Sequence, residues 1–231
     1  MNAITSMNAY ILGGGRSSRM SRDKAFLEYG GKHLIDITIE CIAAIFGSVY
    51  LVGRSYSSPL LTGCIEDEIS GIGPLGGIHT ALKSTDKLYN FFVGIDYPNI
   101  DRTLVLALFA LFRSRTPQYE GLIPIAPDGP HPLFAFYSKS CLPSVERCIG
   151  KKDYRIRCIA RYSNIYFSPL LQDLSEADLE EVDPNEDKKK MIERGLININ
   201  SYDDYILSKK TKRKKIKNNK KYKGLLPYVD T

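Results

Sequence analysis

Short apolar runs alternate with longer amphipathic stretches through most of the chain. Asn8–Leu12 is a short apolar run that stops at three glycines, and Asn90–Ile95 is a second run that stops at Asp96. Between them, Leu34–Phe46 carries apolar residues at the spacing of one helix face. Strands that alternate with helices predict an α/β fold, a Rossmann-like three-layer sandwich with a mostly parallel sheet and helices on both faces.

The same pattern assigns the remaining strands and helices. Apolar or β-branched runs predict strands at Ser48–Val52, Leu122–Ala126, Leu133–Tyr137, Asn164–Phe167 and Leu196–Asn200. Helices are predicted at Pro74–Lys83, from an N-cap at Asp101 through Phe112, at Cys141–Ile149 and at Asp153–Arg161.

The charges divide the chain into a body and a tail. The whole chain has a net charge of +6, but Ser208–Lys223 holds ten Lys/Arg and no acidic residue. Without that segment, 22 basic and 26 acidic residues leave a net charge of −4, so the body shows no basic face for nucleic acid. Because like charges at this density resist folding, residues 1–207 are predicted as one domain and 208–231 as a disordered basic tail. Weak contact of the tail with nucleic acid or a partner is the alternative.

The composition is that of a globular chain, with 43% hydrophobic and 25% charged residues. The longest apolar run, Leu104–Phe112, is far shorter than the ~20 residues that span a bilayer. The polar N-terminus, Met1–Asn8, has no apolar signal core, so we expect a cytoplasmic protein without a membrane anchor. Five cysteines without a C-x-x-C pair are interpreted as buried reduced thiols.

The densest chemistry lies between Leu12 and Lys24, directly after the first predicted strand. Glycines at 13–15 let backbone N–H groups approach an anion, because no Cβ stands in the way. Arg16, Arg19 and Lys24 place positive charge in the same loop. Such a loop at the carboxyl end of a first strand predicts a phosphate-binding site, with a charged surface turn as the alternative.

Asp96 is the strongest candidate for a metal ligand. It ends an apolar strand and precedes Pro98, which would hold its carboxylate rigidly at the carboxyl edge of the sheet. Mg²⁺ prefers hard oxygen ligands and commonly takes one or two carboxylates together with substrate phosphates. Asp96 is therefore predicted to bind Mg²⁺. The alternative is that it only caps the loop that leads into Asp101.

Five motifs follow one another in the order of a known family. They are L-x-G-G-x-S-x-R-M-x-x-D-K at 12–24, G-P-L-G-G-I at 73–78, D-Y-P at 96–98, H-P-L at 131–133 and N-I-N-S at 198–201. Over residues 8–207 the chain resembles the molybdopterin nucleotidyltransferases, and its second loop glycine is similar to that of the molybdenum cofactor guanylyltransferase branch. The resemblance implies a fold of the nucleotide-diphospho-sugar transferase type for the domain at 1–207.

This resemblance implies an enzyme that transfers GMP from GTP to the terminal phosphate of molybdenum-molybdopterin and releases pyrophosphate. It also implies transient contact with molybdoenzymes or their chaperones. Two alternatives stay open. One is a related nucleotidyltransferase that uses CTP or a sugar phosphate, and the other is an inactive GTP-binding adaptor that recruits a partner through its basic tail.

The resemblance assigns roles to individual residues on the nucleotide side. The residues implied to contact GTP are Leu12, Gly13, Gly14, Lys24, Asp67 and Asp96. Lys24, Arg19 and Asp96 are the implied catalytic set, in which Lys24 and Arg19 stabilise negative charge on the transferring and leaving phosphates. Asp67 is flanked by two glutamates, so a solvated acidic turn is its alternative.

On the pterin side the resemblance implies His131, Asn198 and Asn200. The two asparagines would project to the same side of a strand, because side chains in a strand alternate with period two. An ordinary loop histidine is the alternative for His131, and the satisfaction of a turn is the alternative for the asparagines.

Overall fold

The computed structural model describes residues 3–14, 23–174, 187–199 and 204–206. At the centre of its sheet lies β1 (Asn8–Leu12), in which every residue is buried. β4 (Val49–Val52) pairs with β1 in parallel on one side, and β6 (Tyr89–Gly94) does so on the other. Because Leu12 lies in register with both Val52 and Gly94, these three strands end at the same edge of the sheet.

The sheet extends outward from these three strands. The further strands are β5 (Gly63–Ile65), β7 (Gly121–Ala126), β8 (Gly129–Pro130), β9 (Phe134–Ser138) and β10 (Ile165–Pro169). Within the described residues, the sheet runs in the order β10-β7-β9-β6-β1-β4-β5, with β8 attached to β7. β8 and β9 are antiparallel to their neighbours and the other pairs are parallel, so the prediction of a mostly parallel sheet is confirmed. A separate hairpin joins β2 (Glu28–Tyr29) to β3 (Lys32–His33).

Helices cover both faces of the sheet, which confirms the three-layer sandwich. One face carries α1 (Leu34–Ala43), α3 (Arg102–Arg115), α5 (Leu170–Asp173) and α6 (Lys188–Gly195), and the other carries α2 (Pro74–Ser84) and α4 (Leu142–Gly150). Successive residues of the central strands serve opposite cores, as strand geometry requires. Ile11 and Phe91 belong to the first core, and Tyr10 and Phe92 belong to the second.

Local signals located several elements well. β1 has the bounds that the apolar run predicted. Asp101 is the N-cap of α3, and its carboxylate accepts a hydrogen bond from the Thr103 backbone N–H at 2.8 Å. The strand at β5 and the hairpin of β2 and β3 were not predicted, because they are only two or three residues long and carry no clear apolar pattern.

Two predicted elements were wrong. The predicted helix at Asp153–Arg161 is only a 3₁₀ helix over Ile156–Arg161, in which Cys158 and Ile159 are the buried residues, too few for the apolar face of a longer α-helix. The predicted strand at Leu196–Asn200 is not a strand over its described part, residues 196–199. There the Ile199 N–H donates one hydrogen bond to a backbone carbonyl instead of forming a ladder.

The interpretation of all five cysteines as reduced thiols was also wrong. Cys148 at the end of α4 and Cys158 in the 3₁₀ helix form a disulfide, with their Cα atoms 6.0 Å apart. Helix and turn fold back on each other, which brings the two buried thiols together although no C-x-x-C spacing announces them. Cys141 is buried and free as expected, and burial raises the pKa of its thiol to about 11. Cys64 is free and exposed.

Two further predictions concern the ends of the chain and the membrane. Across the part of the chain that the structure describes, no helix combines the length and the apolar character needed to cross a bilayer. The predicted tail at 208–231 lies outside the described residues, and the boundary after residue 207 therefore stays a prediction.

Candidate active site

A cleft of about 250 Å³ opens at the carboxyl edge of the sheet, where β1, β4 and β6 end together. Its lining comes from these three strand ends, the turn after the first loop, the start of α2 and the residue before β9. The lining residues are Leu12, Gly13, Gly14, Asp23, Lys24, Arg54, Gly73, Pro74, Gly94, Ile95, Asp96 and Leu133. Five of the six residues implied to contact GTP thus lie in one cleft, and the sixth, Asp67, lies beside it.

Gly14 is one wall of this cleft and has to be small. A Cβ on Gly14 would lie 2.9 Å from Asp67 Oδ2 and 3.1 Å from the Cα of Gly53, which itself has a φ of +85°. The backbone N–H groups of Gly13 and Gly14 both donate to the carbonyl of Val52, at 2.9 and 3.1 Å. These two glycines therefore extend the pairing of β1 with β4. Their N–H groups are not free for a phosphate, contrary to the expectation from the loop.

Lys24 is tied to the far end of the chain rather than to an acid. Its Nζ donates a hydrogen bond to the carbonyl of Ile199 at 2.8 Å. The Ile199 backbone N–H in turn donates to the backbone carbonyl of Asp96, also at 2.8 Å. Ile199 therefore bridges Lys24 and Asp96 and brings three separate parts of the chain together.

Asp96 presents a carboxylate oxygen that lacks a partner. Its Oδ1 is buried and makes no hydrogen bond with any described residue. Burial raises the pKa of this carboxyl, and the charge of Lys24 together with a hydrogen bond from Asn198 partly opposes that rise. A Cβ on Gly94 would lie closer than 3.0 Å to the same Oδ1, so the glycine leaves the carboxylate its place.

The donor set fits one hard cation only when a substrate completes it. No group of three His, Cys, Asp or Glu side chains gathers into a metal site among the described residues. Mg²⁺ nevertheless commonly takes one or two carboxylates and fills the rest of its shell with phosphate oxygens and water. The buried, unpartnered oxygen of Asp96 fits that role.

The start of α2 adds favourable polarity for an anion. Gly73 is its N-cap with a φ of +68°, a conformation that glycine adopts without strain, and Pro74 follows in the first turn. Both residues line the cleft. Because the N-terminal end of a helix carries partial positive charge, this end of α2 favours phosphate groups in the cleft.

Arg54 also lines the cleft, although it belongs to none of the sequence motifs. It lies two residues after the end of β4, so it emerges beside the loop after β1 at the same edge of the sheet. Its guanidinium forms an ion pair with Asp23 and a hydrogen bond with the Gly13 carbonyl. The available signal was its position after a predicted strand, where parallel sheets collect ligand-binding groups.

Asp67 lies behind Gly14, in the loop after β5. Its Oδ1 is a second buried oxygen without a hydrogen-bond partner in the described part of the chain, and desolvation raises the pKa of its carboxyl. A Cβ on Gly77 would lie 3.6 Å from this oxygen. The carboxylate is therefore partly enclosed and is not the fully solvated acidic turn that was the alternative.

The three residues expected on the pterin side differ in their position relative to the cleft. His131 is buried and does not line the cleft, and its ring nitrogens contact the Tyr97 hydroxyl at 3.3 Å and Asp128 Oδ1 at 2.9 Å. Asn198 lies beside Asp96, and its Oδ1 is buried without a hydrogen-bond partner among the described residues. Asn200 lies outside the described residues, as does Arg19 on the nucleotide side.

The fold and the cleft together define a class of nucleotide-binding α/β protein in which the ligand site lies at the carboxyl ends of parallel strands. Residues 9–165 match the family described as the MobA-like NTP transferase domain, and the chain belongs to that family. The resemblance to molybdopterin nucleotidyltransferases that the sequence motifs indicated is thereby confirmed, and so is the type of fold.

Known proteins similar to the chain agree with this family. It is 35% identical over 147 residues to a probable molybdenum cofactor guanylyltransferase of Peptoclostridium acidaminophilum, a match that covers 60% of this chain and 65% of that protein. A second probable molybdenum cofactor guanylyltransferase, from Methanothermobacter thermautotrophicus, is 30% identical over 176 residues, which cover 70% of this chain and 89% of that protein.

Solved structures give the same result. The molybdopterin-guanine dinucleotide biosynthesis protein A from Archaeoglobus fulgidus superimposes with a TM-score of 0.69 at 25% identity, over 90% of this chain and 100% of that one. A 2-C-methyl-D-erythritol 4-phosphate cytidylyltransferase from Thermus thermophilus is similar at a TM-score of 0.55 and 15% identity, over 88% of this chain and 98% of that one. The second likeness concerns the fold alone.

Proposed function

We propose that this chain transfers GMP from GTP to the terminal phosphate of molybdenum-molybdopterin, forming the guanine dinucleotide cofactor and pyrophosphate. The observation that carries the proposal is the buried, unpartnered Oδ1 of Asp96 in the same cleft as the ammonium group of Lys24. A buried oxygen without a partner is costly unless a ligand completes it. Membership of the NTP transferase family and the names of its similar proteins support the same reaction.

The base would lie against the glycine wall, near Asp67. Gly14 and Gly53 leave a flat backbone surface because neither carries a side chain. The unpartnered Oδ1 of Asp67 is an acceptor, and the N1–H and N2–H groups of guanine are donors. Cytosine offers a single exocyclic amino group instead, so Asp67 favours GTP over CTP in this proposal.

The phosphates would lie between Lys24 and the start of α2. The ammonium of Lys24 would turn from the Ile199 carbonyl to the triphosphate, where its charge opposes the repulsion among phosphate oxygens. Asp96 would hold Mg²⁺, which when bound supplies further positive charge to those oxygens. Arg19, outside the described residues, stays a predicted partner of the leaving phosphates.

The reaction itself needs no side-chain nucleophile. An oxygen of the molybdopterin phosphate forms a bond to the α-phosphorus of GTP, and the bond from that phosphorus to the bridging oxygen breaks to release pyrophosphate. The chain's contribution is to align the two reactants and to lower the cost of the charge that develops. On the acceptor side, Asn198 beside Asp96 would contact molybdopterin, together with His131 and Asn200. Delivery of the product to molybdoenzymes or their chaperones stays a prediction.

Pyrophosphate release tests the proposal. Purified protein is mixed with Mg²⁺, molybdenum-molybdopterin and either GTP, CTP or ATP, and pyrophosphate is measured over time. We expect release with GTP that requires molybdopterin, and little release with the other nucleotides. Faster release with CTP would assign the alternative transferase. Binding of GTP without any release would assign the adaptor.

A further inference from the structure

Arg54 joins the two ends of the loop that follows β1. Its Nε donates a hydrogen bond to the carbonyl of Gly13 at 2.6 Å. Its Nη1 and Nη2 donate to the two carboxylate oxygens of Asp23, at 2.9 and 3.1 Å. Gly13 is the first residue after β1, and Asp23 directly precedes Lys24. One side chain therefore fixes where the loop leaves the sheet and where it returns.

The stem of Arg54 contributes to the same contact. A Cβ on Gly13 would lie 3.1 Å from Cδ and 3.2 Å from Cγ of Arg54. The methylene groups therefore pack directly on the Gly13 backbone while the head group binds its carbonyl. The guanidinium also lies 5.8 Å from the ring centroid of Phe26, within the range of a cation–π contact. The side chain of Arg54 is 18% exposed, so these contacts are partly shielded from water.

Asp23, which Arg54 holds, in turn fixes the backbone at Lys24. Besides binding Arg54, its Oδ1 accepts a hydrogen bond from the Ala25 backbone N–H at 3.0 Å and so caps the 3₁₀ helix Lys24–Phe26. Lys24 is the first residue of that turn. Its ammonium group extends from this base to the Ile199 carbonyl across the cleft. The position of the Lys24 ammonium thus depends on Asp23, and that of Asp23 depends on Arg54.

We infer that Arg54 is a positioning residue for nucleotidyl transfer, acting through Asp23 to hold the Lys24 ammonium at the cleft. The inference rests on the proposed function for its choice of reaction. A guanidinium suits the task because its planar fork serves one carbonyl and both oxygens of a carboxylate at once. The ammonium of a lysine offers no such fork, so Arg54→Lys should not replace it.

The test uses Arg54→Met and Arg54→Lys, with Arg155 as a matched control. Arg155 makes an Arg–Asp pair of the same kind with Asp153, at 2.7 Å for each of its two bonds, and does not line the cleft. We expect Arg54→Met to lower kcat/KM for GTP by about 100-fold, the cost of misplacing a catalytic group by about 1 Å. Arg54→Lys should recover little of that loss, and Arg155→Met should change kcat/KM by less than about twofold.

Asp23→Asn separates positioning from direct binding of the substrate. The asparagine can still cap the 3₁₀ helix, but it loses the ion pair with Arg54. If Arg54 acts through Asp23, Asp23→Asn alone loses much of what Arg54→Met loses. The double variant then loses little more than Arg54→Met alone, because both changes remove one interaction. If Arg54 binds the phosphates itself, Asp23→Asn alone frees it and leaves kcat/KM intact or higher. If both single variants lose activity and their losses add in the double variant, the two residues act independently. Either result overturns the inference.

Equilibrium dialysis with GTP and Mg²⁺ measures nucleotide affinity, so it tests the role of Arg54 without relying on turnover. We expect about tenfold weaker GTP binding in Arg54→Met than in wild type, with unchanged binding and thermal unfolding in Arg155→Met. A wild type that binds GTP but releases no pyrophosphate removes the proposed function, while the binding comparison still decides the role of Arg54. Equal GTP binding and kcat/KM in Arg54→Met and Arg155→Met overturn the inference alone. A wild type that does not bind GTP overturns both.

Discussion

At the amino edge of the sheet, the first residue of β1 is Asn8. It is buried, and its side-chain amide donates to Thr85 at 3.2 Å and to Asp86 at 3.0 Å. At the carboxyl edge, only a few residues away along the same strands, the buried oxygens of Asp67 and Asp96 make no hydrogen bond to the described residues. Both edges hold polar side chains between the same helical layers. Among the described residues, the amino edge provides partners for these side chains and the carboxyl edge leaves two carboxylate oxygens without one.

The carboxyl groups at the two edges respond accordingly. The hydrogen bond from Asn8 lowers the pKa of Asp86, whereas burial raises the pKa of Asp67 and of Asp96. Of the four buried side-chain nitrogen and oxygen atoms that lack a partner in the described ranges, three lie at or beside the cleft, on Asp67, Asp96 and Asn198. Buried polar groups normally have hydrogen-bond partners. Buried polar atoms without partners at the carboxyl edge therefore indicate that a ligand binds at that edge.

The largest effect should follow from removing the charge of Asp96. Asp96→Asn keeps the shape of the side chain but weakens its hold on Mg²⁺, so transfer should fall on the order of 1000-fold. The protein should stay folded, because burial of the charged carboxylate is unfavourable in the free enzyme. Pyrophosphate release across a Mg²⁺ titration measures the effect, with circular dichroism as the folding control. An unchanged rate and Mg²⁺ dependence would move the metal elsewhere, with Asp67 as the next candidate.

Loss of the Lys24 ammonium should have the next largest effect. Lys24→Ala should lower turnover by about 100-fold, because it removes one charged contact to the phosphates in the transition state. The matched control is Lys83→Ala. Lys83 lies near the end of α2 that points away from the cleft, and its partner is the exposed Glu68 at 2.6 Å. The control should leave turnover unchanged and the melting temperature nearly so. Near-normal turnover in folded Lys24→Ala would break the assignment.

Local sequence signals explain why the carboxyl edge could be predicted in outline. Asn8–Leu12 and Asn90–Ile95 are apolar runs that stop at polar or glycine residues, and parallel strands end at a common edge. That reasoning was sufficient to place Lys24 and Asp96 in one cleft. The identity of the fold also followed from the order of strands and helices, because crossover connections between parallel strands leave few topologies.

The remaining features depend on contacts between distant parts of the chain. The contact of Gly14 with Gly53 and Asp67, and the attachment of Arg54 to Asp23, arise only when β1 and β4 lie side by side. No periodic pattern encodes such contacts. The segment at 196–199 illustrates the opposite error. Its apolar residues resemble a strand, but the hydrogen bonds of Ile199 with Asp96 and Lys24 and the packing of Ile199 hold it in place.

Substituting one asparagine at each edge tests whether the two edges also differ in their contribution to stability. Asn8→Ala should destabilise the protein by about 1–3 kcal/mol, because it removes a buried donor that binds buried Thr85 and the exposed Asp86. Asn198→Ala, at the other edge, should cost less stability. It removes the hydrogen bond to Asp96, but it also removes a buried oxygen that has no partner within the described part of the chain. Turnover should follow the reverse order. Chemical denaturation and pyrophosphate release measure both, and equal losses of stability would contradict the contrast.

The smallest expected effect is on stability at pH 7, which Asp67→Asn and Asp86→Asn should change in opposite directions. Because burial raises the pKa of Asp67, the folded state binds its proton more tightly than the unfolded state does. Wild-type stability therefore decreases as pH rises from the usual value of 3.8 through the raised pKa, and Asp67→Asn should be slightly more stable at pH 7. The lowered pKa of Asp86 has the opposite consequence. It stabilises the fold above pH 3.8 and loses that contribution as pH falls, so Asp86→Asn should be slightly less stable at pH 7.

Denaturant unfolding from pH 3 to pH 8 tests this difference in sign between the two aspartates. The gain in Asp67→Asn should vanish as pH falls below 3.8, where the carboxyl is protonated in both states. The deficit of Asp86→Asn should vanish at still lower pH, because its folded pKa is below that value. Saturating GTP with Mg²⁺ should then reverse the ranking of Asp67→Asn and wild type, because only the wild-type carboxylate gains guanine donors on binding. If GTP stabilises both proteins equally, Asp67 has no part in the nucleotide site, and its open oxygen is a property of the free fold alone.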